Sequence, residues 1–507
     1  MAIRAWYPPA NMSGGHVTLI DFGSYCDFSL TEIIVDSVLA RGYTMTHVTG
    51  DTNGFAKTEK PGVKRVIYDQ PESFKAALAD PDIVNFMADE MTPLHEKFSH
   101  PSARPCIKLF KHITQLLSEW WEVTDAVVIH YPVLSLISIP PNFAKPIFVF
   151  YVAPGFANYS VAWPFSGRMR DSEYKLRNDV DAARNRESAI STWQIMSYGH
   201  GHVINTVYNI MKRAHIVTTW DTELLPPVEP DRSLRFVHNG GAIYDKKKLE
   251  AGVTDIESKA EPALQLFVNR HAGALVYFSL GSFATNPTEI LKGLLKKEAK
   301  IVYHDLKNMT SRYHEAAQIA AANPDSVMIV EKAFDHAWIV PKCRFIVTTG
   351  SICLANIALF YGVPMLTVPL LNEQYMWAKN LYQMCKIPFV DVRPLKGLAP
   401  IRDQVVESVT AIESRRTADF FANVRAHVRN NDGCQMLVDV LDSVINPSPI
   451  DKVEHSLINT TRTDFKAMVP SLKRIVREVR RKNGLPPSSL YAMREDAPDP
   501  RLPAIYL

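Results

Sequence analysis

The chain has 507 residues, 47% of them apolar and 21% charged, which is ordinary for a globular protein but more than one core holds, so two domains are expected. A formal net charge of +3 gives no electrostatic footprint for nucleic acid, and no nucleic-acid partner is expected. Six cysteines (Cys26, Cys106, Cys343, Cys353, Cys385 and Cys434) form no CxxC pair, a pattern that suits reduced thiols in a cytoplasmic protein and excludes a disulfide scaffold.

In chain order, residues 16–22 (HVTLIDF) read as a compact apolar strand and residues 23–28 as a loop. Residues 30–41 carry a helical stripe at Ile33, Ile34, Val38 and Leu39; Gly42 stops it, and residues 43–49 read as a second strand. The chain therefore opens with a βαβ unit. Ligands of such units lie beyond the carboxyl ends of the strands, which makes Asp27, at the first handover from strand to helix, a candidate site residue; a simple helix cap is the alternative. His16 lies at the far end of the strand and reads as structural.

Strands are expected at 64–68, 124–131 and 146–152, with a helix at 110–121. Residues 153–200 are irregular, polar and aromatic, and either line a binding cleft or pack as an ordinary insertion. Strands at 214–219 and 234–237 complete this half. Residues 244–261 read as a linker, with the run Asp245-Lys246-Lys247-Lys248 as a solvated face.

A second α/β half opens with a strand at 274–280, the turn Gly281-Ser282-Phe283, a helix through residues 291–295, and strands at 301–304 and 327–330. Strands at 345–348 and 365–368 flank Gly350-Ser351 and an apolar helix at 352–361 that Gly362-Val363-Pro364 ends. The free N–H groups at that helix start suit an anion. The second strand leads into Asn372-Glu373-Gln374, a carboxylate and amide that suit a polyhydroxylated ligand. A phosphate site beside a hydroxyl site is what a nucleotide-sugar needs. His200-Gly201-His202 reads as a chance surface spacing, and no metal site is expected. Beyond residue 445, Val469, Leu472, Ile475, Val476 and Val479 form an apolar stripe, with Lys473, Arg474, Arg477, Arg480, Arg481 and Lys482 opposite. Such a basic helix either packs on its own protein or lies at an anionic membrane as a peripheral contact. Residues 484–507 are Pro-rich and read as extended. No apolar run reaches the ~20 residues of a membrane span, and residues 1–15 lack the apolar core of a signal peptide.

Several stretches resemble one family in order. Gly23-Ser24-Tyr25-Cys26-Asp27-Phe28-Ser29-Leu30, followed by Ala40-Arg41-Gly42-Tyr43, is similar to a Gly-Ser/Thr-Arg-Gly-Asp-Val-Gln-Pro turn and its Ala-Arg-Gly-His helix end. Thr124-Asp125-Ala126-Val127-Val128-Ile129 resembles an Asp-Ala-Val-Ile strand, and Ser279-Leu280-Gly281-Ser282-Phe283 a Gly-Phe-Gly-Ser-Met turn. Asp335-His336-Ala337-Trp338-Ile339-Val340-Pro341-Lys342-Cys343 is similar to Pro-His-Asp-Trp-Leu-Phe-Pro-Arg-Cys. Thr349-Gly350-Ser351-Ile352-Cys353-Leu354 falls on a His-Gly-Gly-x-Gly-[ST] signature; Gly362-Val363-Pro364, Glu373-Gln374 and Trp377 match further on. The chain resembles the UDP-glycosyltransferases of GT-B fold, in particular the sterol glucosyltransferase branch and the bacterial antibiotic glycosyltransferases. The resemblance covers roughly residues 16–440.

The resemblance implies an α/β fold of two Rossmann-like, doubly wound parallel-sheet domains facing a cleft, with a C-terminal helical tail. The expected division is 1–245 for the acceptor-binding domain, 246–262 for the linker, 263–445 for the nucleotide-sugar domain and 446–507 for the basic helix and tail. It implies transfer of a hexose, glucose by preference, from a UDP-sugar to a hydroxyl of a sterol-like, lipid or other small acceptor, inverting and without metal or resident cofactor. Asp27 would be the base. Gly281 and Ser282 would approach the diphosphate; Ala333 and Phe334 would frame the uracil. Thr349, Gly350, Ser351 and Cys353 would cradle phosphates, Glu373 and Gln374 would hold sugar hydroxyls, and Trp377 would line the sugar site. The chain departs from the family at Thr349, in place of a phosphate-contacting His, at Ser351, in place of the signature's second Gly, and at Leu354, in place of a phosphate-binding Ser or Thr. A catalytically degenerate GT-B domain serving as a binding or structural module is the alternative. A UDP-sugar epimerase, which shares the fold, fits less well with the Asp27 turn and the Glu-Gln pair.

Overall fold

A computed structural model describes residues 14–21, 25–50, 59–68, 123–130, 143–151, 213–220, 236–238, 240–281, 287–305, 313–370, 372–392 and 398–447. The expected helices at 110–121 and 469–482, the 153–200 insertion, the His200–His202 pair, Ser282 and the tail lie outside the described residues. Elements are numbered among the described residues.

The first sheet holds β1 (His16–Ile20), β2 (Thr44–Gly50), β3 (Val63–Tyr68), β4 (Ala126–His130), β5 (Ile147–Tyr151), β6 (His215–Thr218) and β7 (Phe236–His238). Their order is β3-β2-β1-β4-β5-β6-β7, all parallel. The second holds β8 (Leu275–Ser279), β9 (Lys300–His304), β10 (Val327–Val330), β11 (Cys343–Thr348) and β12 (Met365–Thr367), in the order β10-β9-β8-β11-β12, also parallel. Each expected strand is present. The inner strands β1, β4 and β8 are short, apolar and buried on both faces, the signature of parallel sheets covered by helices, while the edge strands β3 and β10 are partly exposed.

Helix α1 (Tyr25–Ala40) begins earlier than expected. Residues 25–28, read as loop, form its first turn. No Gly or Pro interrupts them, and Phe28 finds tertiary partners: its ring stacks on His47, with the Arg65 guanidinium 5.1 Å from its centroid. The expected linker contains α2 (Lys246–Ala251), capped by Asp245, which accepts from Lys248 N at 3.0 Å. Lys248 is not merely solvated; it pairs with Asp335. Trp338 donates from Nε1 to Asp255 at 2.8 Å, which pins the end of this segment to the second sheet's unit.

Around the second sheet lie α3 (Pro262–Arg270), α4 (Pro287–Leu295), α5 (Tyr313–Ala322), α6 (His336–Ile339) and α7 (Ile352–Tyr361). After β12 come α8 (Asn372–Cys385), α9 (Ile401–Ile412), α10 (Arg415–Asn430) and α11 (Gly433–Ile445). Helix α11 returns to the first sheet's unit. Arg41 at the end of α1 pairs with Asp439 and Asp442, Tyr43 donates to Asp442, and Asn446 donates to the Tyr43 hydroxyl at 3.0 Å. Among the described residues no helix is long and apolar enough to cross a membrane.

Candidate functional site

Each sheet has one topological switch point, where the chain leaves in opposite directions from neighbouring strands. In the second sheet it lies between β8 and β11, and Ser279 pairs in register with Thr348. The turns that leave these two strands therefore stand level and side by side. Both hinge on glycine in the left-handed region: Gly281 at φ +70° and Gly350 at φ +90°. A side chain at either position would be strained, so both turns present bare backbone where an anionic ligand of such a sheet binds.

Thr349 is buried at 2% exposure. Gly350 N donates to Thr348 Oγ1 at 3.3 Å, which holds the turn closed. Ser351 is the N-cap of α7 yet makes no side-chain cap bond, and Cys353 and Leu354 lie buried in the first helical turn. Asn356, fully buried, donates to the Ile243 carbonyl at 3.1 Å. Helix α7 is thereby tied to the crossing between the two sheets. Gly362, left-handed at φ 70°, ends it, as the sequence predicts.

Behind the Gly350 turn lies α8. Gln374 is 5% exposed, and its Oε1 accepts the Leu370 N–H at 2.8 Å, which fixes the turn between β12 and α8. Glu373 lies in the first turn of the same helix. Trp377 is fully buried, and its Cβ would stand 3.6 Å from a Cβ on Gly350, so it backs the turn. Ala333 is half-buried and Phe334 buried in the loop that precedes α6.

Phe334 belongs to a cluster that the sequence reading missed. The Tyr277 hydroxyl lies 2.9 Å from His304 Nδ1 and 2.8 Å from His336 Nδ1. It has one proton, so it donates to one ring and accepts from the other. Phe334 packs against Tyr277, His304, His336 and Trp338. Burial pushes both imidazoles down, His304 to about 3 and His336 to about 4. The legible signal was His304 closing the apolar run Ile301-Val302-Tyr303 at the strand's carboxyl end.

In the first sheet the switch point lies between β1 and β4. Asp27 stands in the first turn of α1, directly after β1. Asp21, the residue that follows β1, is fully buried and was also missed. Thr31 Oγ1 donates to it at 2.5 Å, Thr49 Oγ1 also donates, and His47 Nε2 lies at 2.7 Å. Burial pushes this carboxyl up, but the His47 ring and the two hydroxyls outweigh it and hold Asp21 below the ordinary carboxylate range. His16 is structural, as expected: its ring nitrogens lie 2.9 Å from Thr44 Oγ1 and Thr46 Oγ1. Among the described residues no group of His, Cys, Asp or Glu could hold a metal ion.

No protein-family model matches the chain, and no curated protein matches it in sequence. Solved structures do match. The glycotransferase of kitacinnamycin is 16% identical, covering 85% of this chain and 99% of its own, at a TM-score of 0.54. Medicago truncatula UGT71G1 complexed with UDP-glucose is 12% identical over 85% of this chain and 98% of its own, at 0.58. A Polygonum tinctorium UDP-glucosyltransferase capable of glucosylating indoxyl is 11% identical over 86% and 99%, at 0.58. The fold is GT-B. In a GT-B protein the two switch points belong to separate Rossmann-like units; here they contribute the Asp27 turn and the Gly281 and Gly350 turns. The GT-B units are joined by the crossing at Gly241–Tyr244 and by the return of α11.

Proposed function

We propose that the chain is a UDP-dependent glycosyltransferase. It moves a hexose, glucose first among candidates, from a UDP-sugar to a hydroxyl of a small acceptor of sterol-like or other lipid character, with inversion and without a metal. The proposed division is an acceptor-binding domain over 1–245, a linker over 246–262, a donor domain over 263–445 and a basic tail over 446–507 that either packs on its own protein or makes peripheral contact with membranes from the cytoplasm.

One observation carries the reading: the paired left-handed glycines, Gly281 and Gly350, level with each other at the second sheet's switch point. Backbone N–H groups at these turns and at the start of α7 suit a diphosphate, whose charge grows as the glycosidic bond breaks. Thr349, Ser351 and Cys353 complete the phosphate cradle, with Ser282 beside Gly281. Glu373 and Gln374 hold sugar hydroxyls, backed by Trp377. Ala333 and Phe334 frame the uracil. Asp27 takes the proton of the acceptor hydroxyl as its oxygen attacks the anomeric carbon in a single displacement.

The first test is UDP itself, which stabilises the fold only if it binds. A thermal midpoint that rises with millimolar UDP supports the donor site; an unmoved one removes it. Asp27→Asn should then abolish most UDP-glucose turnover while leaving UDP binding intact, and unchanged turnover would dismiss Asp27 as base. A second reading, a silent GT-B domain that binds a ligand without chemistry, is favoured by Thr349 and Leu354, both buried where the family has phosphate-binding side chains. UDP binding without turnover of any UDP-sugar selects it.

A further inference from the structure

We infer that Asp21 and His47 are positioning residues for the reaction: they anchor the first two turns of α1 to the sheet and so fix where Asp27 stands. This rests on the reading of Asp27 as the base.

Three side chains on one face of α1, Phe28, Thr31 and Glu32, follow the i, i+3, i+4 spacing of a helix. Two on one face of β2, His47 and Thr49, follow the alternation of a strand. Arg65 pairs in register with His47 from β3. Every one of these six residues bonds or stacks within a single network. Arg65 Nη2 reaches both Glu32 oxygens at 2.7 Å, and Lys60 adds a contact to Glu32 at 3.4 Å. Phe28, next to Asp27 in the chain, is held between the His47 ring and the Arg65 guanidinium.

The chemistry of the donors fixes the direction of the chain of bonds. Arg65 Nη1 lies 3.3 Å from His47 Nδ1, and a guanidinium can only donate. His47 Nδ1 is therefore the acceptor, Nε2 carries the ring proton, and that proton points at Asp21. Asp21 gathers this donor with the hydroxyls of Thr31 and Thr49, so one buried carboxylate joins the helix to the strand beside it. A carboxylate in a fully buried site is costly unless so satisfied, and an apolar side chain would cover the helix at lower cost. What the carboxylate adds is direction: it accepts only where the donors stand, so α1 has one seat on the sheet. The network lies at the carboxyl ends of β1 and β2, the side on which Asp27 stands, while the far end of β1 is held separately by His16.

The experiment measures UDP-glucose hydrolysis, UDP affinity and amide exchange on the full chain for Asp21→Asn, Thr31→Val and Thr31→Ser. Positioning predicts that Asp21→Asn and Thr31→Val lower kcat about 10- to 100-fold, the scale of a misplaced catalytic group. KM and UDP affinity should stay within about twofold, and exchange should speed in residues 26–31 but not in α7. Thr31→Ser, which keeps the hydroxyl, should restore kcat. Unchanged kcat in folded Thr31→Val, or failure of serine to rescue it, overturns the inference. If Asp21→Asn does not fold, the two Thr31 variants decide alone. A wild-type chain that fails to bind UDP overturns the glycosyltransferase reading instead, and unchanged exchange at residues 26–31 in Thr31→Val overturns the anchor whatever UDP does.

Discussion

Gly241 and Gly433 meet backbone to backbone where the chain crosses between its two sheets. A Cβ on Gly433 would stand 2.1 Å from the Gly241 carbonyl oxygen, whereas a Cβ on Gly241 would stand 3.2 Å from the backbone of Gly433. Neither glycine has a left-handed φ, so space alone sets the requirement. Gly433→Ala should destabilise the fold by about 2 kcal/mol or more, the scale of overpacking, and Gly241→Ala by distinctly less. Urea unfolding of both variants checks the order; equal losses would contradict it.

The clasp between α1 and α11 predicts a smaller effect. Tyr43→Phe removes hydrogen bonds to Asp442 and Asn446 and should cost about 1–2 kcal/mol. Arg41→Ala breaks two ion pairs of a guanidinium that is itself more than a third exposed, so it should cost under about 1 kcal/mol. Thermal denaturation of the two variants side by side separates them.

His304 and His336 give the stability a defined dependence on acid. Both are ordinary imidazoles in the unfolded chain, near 6.5, and depressed in the fold, to about 3 and about 4. Below pH 6.5 the unfolded chain takes up protons that the fold refuses, so stability is full above that value and falls toward pH 4 and below. His336 keeps part of its surface in solvent, so His304 should carry more of the slope. His304→Asn should flatten the stability profile between pH 4 and 6.5 in denaturant titrations at stepped pH.

Gly350→Ala tests the donor turn. Its Cβ would find only ordinary contacts, 3.5 Å from the Gln374 carbonyl oxygen, so φ +90° is the obstacle. The strain should cost about 1 kcal/mol or more of stability and tilt the turn. UDP affinity, measured by calorimetry, should fall at least tenfold; unchanged affinity would separate this turn from the donor site.

The strands were legible because short apolar runs in this chain are buried on both faces, and the sequence carries that pattern locally. The helix after Gly350 was legible from its Gly and Pro punctuation. The start of α1 was not, because residues 25–28 carry no local signal that outweighs a loop; Phe28 joins the helix only when His47 and Arg65, distant in sequence, arrive beside it. Lys248 likewise read as solvated because its partner, Asp335, comes from a different segment.

The sequence by itself determined the two-sheet α/β architecture, the punctuation of α7, and the residues that turn at the carboxyl ends of β1, β8 and β11. These follow from periodicity and from glycine, which act within a few residues. Only the tertiary structure decided that Ser279 and Thr348 stand level, that Asp21 rather than a nearer group ties α1 to β2, and that α11 returns to the first sheet. Strand order, burial and the pairing of charges bring together residues up to several hundred positions apart, and no local pattern encodes those partners.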